Sequence, residues 1–204
     1  MADFAQPLRE EDVDPDPLRQ FQRWFREAAD AGERAPEAMA VATADAAGAP
    51  SVRMVLLKGA DARGFVFYTN YDSRKGNELA ENPRAALMFY WDSLGRQVRI
   101  EGRVEPVSAE ETAAYVRSRP RGSQLSALAS PQSRPVPSRR WLEERVADLA
   151  GRYPSDDPPL PADWGGFRVV PDYLEFWQHR EDRLHDRLLF RLGDPGWRIE
   201  RLAP

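Results

Sequence analysis

The chain has 204 residues, 42% of them hydrophobic and 30% charged, a composition able to bury one core and fitting a single domain. A formal net charge of −4 is the wrong sign for general nucleic-acid binding, so any anion site has to be local. Cys is absent and His179 and His185 are the only histidines, which excludes disulfides, thiol nucleophiles and Cys-ligated metals and argues against a His-rich metal site.

Residues 1–16 are acidic and polar, without the apolar core of a signal peptide, and read as a flexible arm preceding one domain over residues 17–204. No apolar run approaches the roughly 20 residues of a membrane-spanning helix, so a cytoplasmic protein without a membrane partner is expected. Asp16 and Pro17 form a helix start, and Leu18, Phe21, Trp24, Phe25 and Ala28 recur at helical spacing up to Gly32. Residues 38–44 read as a short buried strand, followed by a turn at residues 45–48. Residues 51–76 read as strand, turn, strand and helix start, with Gly64 breaking the two apolar runs. Ser73 stands where an N-cap would, followed by Arg74 and Lys75, and Arg53 and Lys58 bracket the first run. A helix N-terminus with four cations nearby suits a phosphate-bearing ligand, while the same charges could equally decorate a solvated face.

Residues 85–91 read as another strand and residues 96–107 as a long one, in which Gln97, Arg99, Glu101 and Arg103 alternate with Val98, Ile100, Gly102 and Val104. This spacing of antiparallel strands predicts a barrel or sandwich. Ser108 and Glu111 form a capping box for a helix that carries Tyr115 and ends near Ser118. Residues 117–124 read as a cationic loop with hydroxyls, whose guanidinium groups match phosphate oxygens, although a plain surface loop has the same composition. After a rigid connector over residues 130–137, Ser138 caps a helix to about residue 153 with Trp141, Val146 and Leu149 on its inner side. A proline-rich loop at residues 154–161 leads to strands over residues 168–170, 174–177, 188–191 and 197–202. Between Trp177 and Arg187 lie both histidines. Arg183 and Arg187 flank His185, which favours its neutral form. No Walker loop or GxGxxG is present.

These blocks, in order, resemble the pyridoxamine 5′-phosphate oxidase family. The resemblance rests on residues 53–58, Phe67-Tyr68-Thr69-Asn70, Ser73-Arg74-Lys75, Arg96-Gln97-Val98, Ser118-Arg119-Pro120-Arg121, Gln132-Ser133, Trp164-Gly165-Gly166, Glu175-Phe176-Trp177, residues 183–187 and the ending Arg201-Leu202-Ala203-Pro204. It implies a mainly β fold with flanking helices, the antiparallel FMN-binding split β-barrel, and a homodimer with FMN at the subunit interface. It further implies that Arg53, Met54, Val55, Leu56, Leu57, Lys58, Tyr68, Thr69, Arg74 and Lys75 hold the flavin. Gln97, Gln132, Ser133, Trp177 and Arg187 complete that site, some of them from the partner chain. Lys58, Tyr115, Arg119 and Ser123 clamp the substrate phosphate, and Arg183, Leu184 and His185 meet the pyridine ring, with Arg183 and His185 orienting the substrate. The implied reaction moves a hydride from C4′ of pyridoxine or pyridoxamine 5′-phosphate to flavin N5, with dioxygen as the final acceptor and pyridoxal 5′-phosphate and hydrogen peroxide as products. Two departures stand out: His179-Arg180 replaces a Gly-rich segment, and the N-terminal arm lacks a basic-aromatic stretch. A flavin oxidase of the same fold acting on another substrate, as in phenazine biosynthesis, and a non-catalytic flavin or pyridoxal-phosphate carrier are the alternatives.

Overall fold

The alternating apolar runs of the sequence become strands of one antiparallel sheet. The structure is a computed structural model that describes residues 7–154 and 158–204; residues 1–6 of the expected arm and 155–157 of the proline-rich loop lie outside the described residues. The strands are β1 (Ala38–Ala44), β2 (Pro50–Leu56), β3 (Gly59–Asp61), β4 (Gly64–Asn70), β5 (Arg84–Trp91), β6 (Arg96–Pro106), β7 (Trp164–Gln178), β8 (Asp186–Gly193) and β9 (Gly196–Arg201). The helices are α1 (Pro17–Asp30), α2 (Arg74–Glu81), α3 (Ala109–Ser118), α4 (Arg121–Ala129) and α5 (Arg139–Arg152). The sheet runs β2-β1-β5-β6-β7-β4-β3, with β8 and β9 continuing outward from β7. None of the described helices is long and apolar enough to cross a membrane.

Strand β7 organises this sheet. Its first half, Trp164 to Val169, pairs with β4, its second half, Tyr173 to Gln178, pairs with β8, and β6 runs along its other edge. The β6–β7 register shifts between Glu101 and Gly102. There a Cβ on Gly102 would lie 2.1 Å from the Val170 carbonyl oxygen, so only glycine allows the two backbones to meet where the ladder bends. Sequence read residues 168–170 and 174–177 as two strands because Pro171 interrupts them. The structure makes one continuous strand, with Pro171 placed at the irregularity.

Helix α1 packs into the curl of the sheet. Asp16 caps it by accepting from the Leu18 N–H, and Phe21 meets Phe65 edge-on at 4.8 Å and Phe89 at 5.0 Å. Trp24 meets Phe176 edge-on at 5.2 Å. These rings sit in a core contributed by β1, β4, β5, β6, β7 and β8.

Several expectations change. The two apolar runs of residues 51–70 do not pair with each other: β2 pairs with β1, while β4 pairs with β7 and with the short β3. The cationic loop at residues 117–124 is a break between two helices. Arg119, preceding Pro120, is held extended at ψ 149°, and the Ser123 and Gln124 N–H groups donate to the Pro120 carbonyl, so α4 restarts at once. Helix α5 has the Ser138 cap but buries none of its residues, so Trp141, Val146 and Leu149 are only half-buried. Residues 7–16 of the expected arm are packed: Leu8 and Val13 are buried, and Arg201 pairs with Glu10 at 2.7 Å and donates to the Leu8 carbonyl.

Candidate active site

Three groups of side chains gather the residues singled out from sequence. The first lies where β4 turns into α2. Ser73 caps the helix by accepting from the Gly76 N–H, leaving the first N–H groups of α2 and its positive dipole end at the site. Lys75 folds back from α2 and is only 7% exposed. It donates to Gln132 Oε1 at 2.7 Å, Thr69 Oγ1 at 2.9 Å and Ser73 Oγ at 3.2 Å. Burial, and then the neighbouring Arg53, pushes its pKa down to about 8, against the opposite pull of Glu78. Arg53 reaches in from β2 and donates to the Val41 carbonyl, Thr43, Ser51 and Glu78. Arg74 pairs with the other oxygen of Glu78 at 2.8 Å. The Glu78 carboxyl is itself buried, which would raise its pKa. Hydrogen bonds from Ser51, Thr43, Arg74 and Arg53 outweigh that and hold it down at about 2. Three cations thus surround one carboxylate, a local surplus of two positive charges that matches a dianionic phosphate. The solvated-face reading fits Arg74, whose side chain is 63% exposed, and the exposed Lys58; it does not fit Lys75, which is buried, or Arg53, whose side chain is 20% exposed.

The second group borders the first through Thr69 and Gln132. A cavity of about 270 Å³ is lined by Tyr68, Thr69, Asn70, Arg119, Ser123, Ser126, Ala127, Ser130, Gln132 and Trp164. Two of its lining rings, Tyr68 and Trp164, belong to a stack with Tyr115: Tyr68 lies on Tyr115 at 3.8 Å and 13°, and both run parallel to Trp164 at 5.9 and 6.0 Å. Gly166 permits this stack, because a Cβ there would sit 2.8 Å from Tyr68 Cε1 and 2.6 Å from Val107 Cγ2. The Arg119 guanidinium lies 4.7 Å above the Trp164 ring. Its Nη1 is buried and has no hydrogen-bond partner. A guanidinium with an unpaired buried donor, on a residue that lines a hydroxyl-rich cavity, is an arrangement suited to an anion.

The third group lies at the far end of β7. Gln97, Trp177 and Arg187 face one another across β6, β7 and β8 in one register row. Arg187 is aimed by Glu175, which accepts from its Nε at 2.8 Å and also from Arg99 and Tyr173. The His185 ring stands 4.6 Å from Trp177 and 5.2 Å from His179. Its Nδ1 accepts from the Arg180 N–H at 3.1 Å, which places the proton of the neutral ring on Nε2. Partial burial, then His179 and Arg183, lowers its pKa and favours that neutral form. Asp182 and Arg183 have positive φ (54° and 60°), and this local twist leaves Arg183 and Leu184 exposed at the tip of the loop.

The structure therefore brings together Arg53, Tyr68, Thr69, Arg74, Lys75 and Gln132, joins Tyr115, Arg119 and Ser123 to them, and sets Gln97, Trp177, Arg183, Leu184, His185 and Arg187 apart. Ser133, at φ 71°, lines an open cleft with Arg74 and Glu78. Along β2, Arg53 and Val55 face inward, whereas Met54 and Leu56 face outward. Leu57 is buried, and Lys58 lines a different cavity with Phe21, Gln22, Phe25 and Arg26, away from Arg119. Sequence reasoning missed Glu78, Glu175, Ser126 and Ser130. For Glu78 the spacing of four from Arg74 was the available signal.

Comparison with known proteins places these groups in context. Residues 25–153 match the family model described as pyridoxamine 5′-phosphate oxidase, and residues 164–204 match that of the pyridoxine 5′-phosphate oxidase C-terminal dimerisation region. The chain is 57% identical to the pyridoxine/pyridoxamine 5′-phosphate oxidase of Rubrobacter xylanophilus, over 97% of this chain and 91% of that protein. It is 57% identical to the enzyme of the same name from Cupriavidus necator, over 97% and 93%. Among solved structures it resembles PhzG of Burkholderia lata, in complex with tetrahydrophenazine-1-carboxylic acid. The TM-score is 0.90 at 31% identity, covering 100% of this chain and 97% of that one. A pyridoxamine 5′-phosphate oxidase-related, FMN-binding protein from Nostoc punctiforme shares the fold, with a TM-score of 0.74 at 17% identity over 93% and 98% of the two chains.

Proposed function

The chain belongs to the pyridoxamine 5′-phosphate oxidase family, and from that premise we propose that it is an FMN-dependent oxidase converting pyridoxamine or pyridoxine 5′-phosphate to pyridoxal 5′-phosphate. The observation that carries the reading is the pair of adjoining anion sites, one around Lys75 and one around Arg119, which share Thr69 and Gln132. A flavin mononucleotide and a phosphorylated substrate each need one.

The residues present fit FMN. Arg53, Arg74, Lys75 and the α2 N-terminus supply the charge that its phosphate requires, with Tyr68, Thr69, Gln132 and Ser133 beside them. Gln97, Trp177 and Arg187 offer donors and a flat ring at the other end of the sheet. When bound, FMN would supply the redox chemistry, as the acceptor for a hydride from substrate C4′, with dioxygen as the final oxidant and hydrogen peroxide as its product.

The protein groups position and polarise. Arg119 and Ser123 hold the substrate phosphate over the Tyr68–Tyr115–Trp164 stack. Fixing that remote group orients C4′, and orientation alone can account for several kcal/mol of barrier lowering. His185, neutral with its proton on Nε2, donates a hydrogen bond to the ring substituents of the substrate, and Arg183 adds positive charge beside it.

One chain cannot close this site. Arg119 sits over Trp164 and His185 beside Trp177, and the 13 steps along β7 from one tryptophan to the other correspond to about 40 Å of strand path at roughly 3.3 Å per residue. Val52, Met54, Leu56, Met88 and Tyr90 make an outward apolar face, 41–69% exposed, on β2 and β5. Packing this face on a second copy makes a homodimer in which one protomer's Arg119 group meets the partner's His185 group.

The likeness to PhzG supports a second reading, a flavin oxidase acting on a substrate without phosphate. The unpaired Arg119 donor favours the phosphorylated substrate. The test is made on one purified sample: record its visible spectrum, then add pyridoxine 5′-phosphate in air and follow pyridoxal 5′-phosphate and peroxide. A yellow protein producing both in equal amounts is expected. A yellow but inert protein would move the assignment to the second reading.

A further inference from the structure

Among the described residues, Glu78 is the carboxylate that bonds directly to the guanidinium groups beside Lys75. It is 5% exposed, and its two carboxylate oxygens accept four hydrogen bonds. One oxygen accepts from Ser51 at 2.6 Å, from Thr43 and from Arg53 at 3.2 Å; the other accepts from Arg74 at 2.8 Å. The contacts come from three elements. Thr43 belongs to β1, Ser51 and Arg53 to β2, and Arg74 to α2. A surface ion pair has no need of two additional hydroxyls, and this carboxylate is bonded to both guanidinium groups at once.

We infer that Glu78 is a positioning residue for the flavin phosphate: its buried carboxylate ties Arg53 and Arg74 to the β1–β2 hairpin at the start of α2, so that both guanidinium groups stand ready before the phosphate arrives. The inference rests on the FMN reading above. Two long arginine side chains, held in advance, lose little rotamer freedom when the ligand binds. The carboxylate also repels the phosphate, and its removal would raise the surplus positive charge from two to three. The sign of the effect on binding therefore separates holding from mere charge balance.

The experiment measures FMN and riboflavin binding to the flavin-free full-length protein by quenching of flavin fluorescence. Riboflavin lacks the phosphate and serves as the internal control. Glu78→Gln is expected to weaken FMN about tenfold, the equivalent of one lost charge-assisted hydrogen bond, and to leave riboflavin within about twofold. Glu78→Asp, which keeps the charge but shortens its reach, should lower the FMN-to-riboflavin ratio by a smaller factor, and it carries the test should Glu78→Gln fail to fold. Tighter FMN binding by Glu78→Gln would overturn the inference in favour of charge balance. Equal weakening of both flavins would overturn it in favour of a purely structural role. A wild-type protein that does not prefer FMN to riboflavin would instead overturn the FMN reading on which the inference stands.

Discussion

Replacing Arg119 by Met removes the guanidinium from the cavity and keeps most of the apolar stem. In the folded chain without ligand, Arg119 Nη1 is a buried donor with no partner, and such a group costs about 1–3 kcal/mol in desolvation. The guanidinium also lies 4.7 Å over the Trp164 ring, a contact that contributes about 0.5–2 kcal/mol. The two nearly cancel, so stability should change by no more than about 1 kcal/mol, a shift in Tm of within about 4 °C for a chain of this size. Substrate binding has no such compensation. A charge-assisted hydrogen bond to phosphate is worth about 1.5–3 kcal/mol, which predicts a KM for pyridoxine 5′-phosphate raised about 10- to 150-fold. FMN content should stay at the wild-type level, because Arg119 makes no contact with Lys75, Arg53 or Arg74. The assay is steady-state peroxide production across substrate concentrations, alongside a thermal melt and the flavin-to-protein absorbance ratio. An unchanged KM would refute the anion-site assignment. Loss of flavin in step with substrate affinity would show that the two sites are not separate.

The lowered pKa of Lys75 gives a pH signature. Phosphate binds its protonated form and raises its pKa, so FMN affinity should fall as pH rises through about 8, while Lys75→Met should flatten that slope and bind weakly throughout. In the flavin-free protein the same group works the other way: stability gains from its deprotonation between about 8 and its ordinary value, seen as a rising midpoint in denaturant titrations at increasing pH. Gly166→Ala should destabilise the fold by about 1–3 kcal/mol and displace Tyr68 from its stack, read as a lower Tm with a raised substrate KM; a wild-type KM would show that the stack does not shape the cavity. Mixing the impaired Arg119→Ala and His185→Ala chains, unfolding and refolding them together, and assaying at substrate well below their raised KM should restore about one quarter of wild-type activity, since half the dimers are mixed and each holds one intact site. No recovery on mixing would place both residues in the same protomer's site.

Local features carry much of the fold in the sequence. Asp16, Ser73, Ser108 and Ser138 each cap the helix that their side-chain chemistry predicts. The period-two pattern of residues 96–107 becomes β6, ending one residue early at Pro106. What depended on distant partners was less legible. The pairing of β4 with β7 joins segments far apart in sequence, and nothing local in residues 65–70 names residues 164–169 as their mate. Helix α4 was hidden because Arg, Gly and Pro together imitate a loop. The site was legible as separate basic clusters. The carboxylates that aim them were not, because Glu78 reaches Thr43 and Ser51 only once α2 lies across the β1–β2 hairpin, and Glu175 reaches Arg187 only across a strand pair.

Both carboxylates point to the same physical solution. A site for two anionic ligands needs many cations, and cations crowded together repel one another and lose stability on burial. Here Arg53 and Arg74 share Glu78, and Arg187 shares Glu175 with Arg99, so each cluster reaches the folded state partly neutralised. Lys75 and the Arg119 Nη1 are the exceptions, one with a depressed pKa and the other with no partner. The strain of uncompensated charge is thus confined to the two positions where a phosphate would relieve it. The length of β7 then divides the remaining work. It carries the Arg119–Trp164 group at one end and the Trp177–His185 group at the other. Under the proposed function, a second copy of the chain would bring these unlike ends together, and the exposed apolar face on β2 and β5 is the surface offered for that pairing.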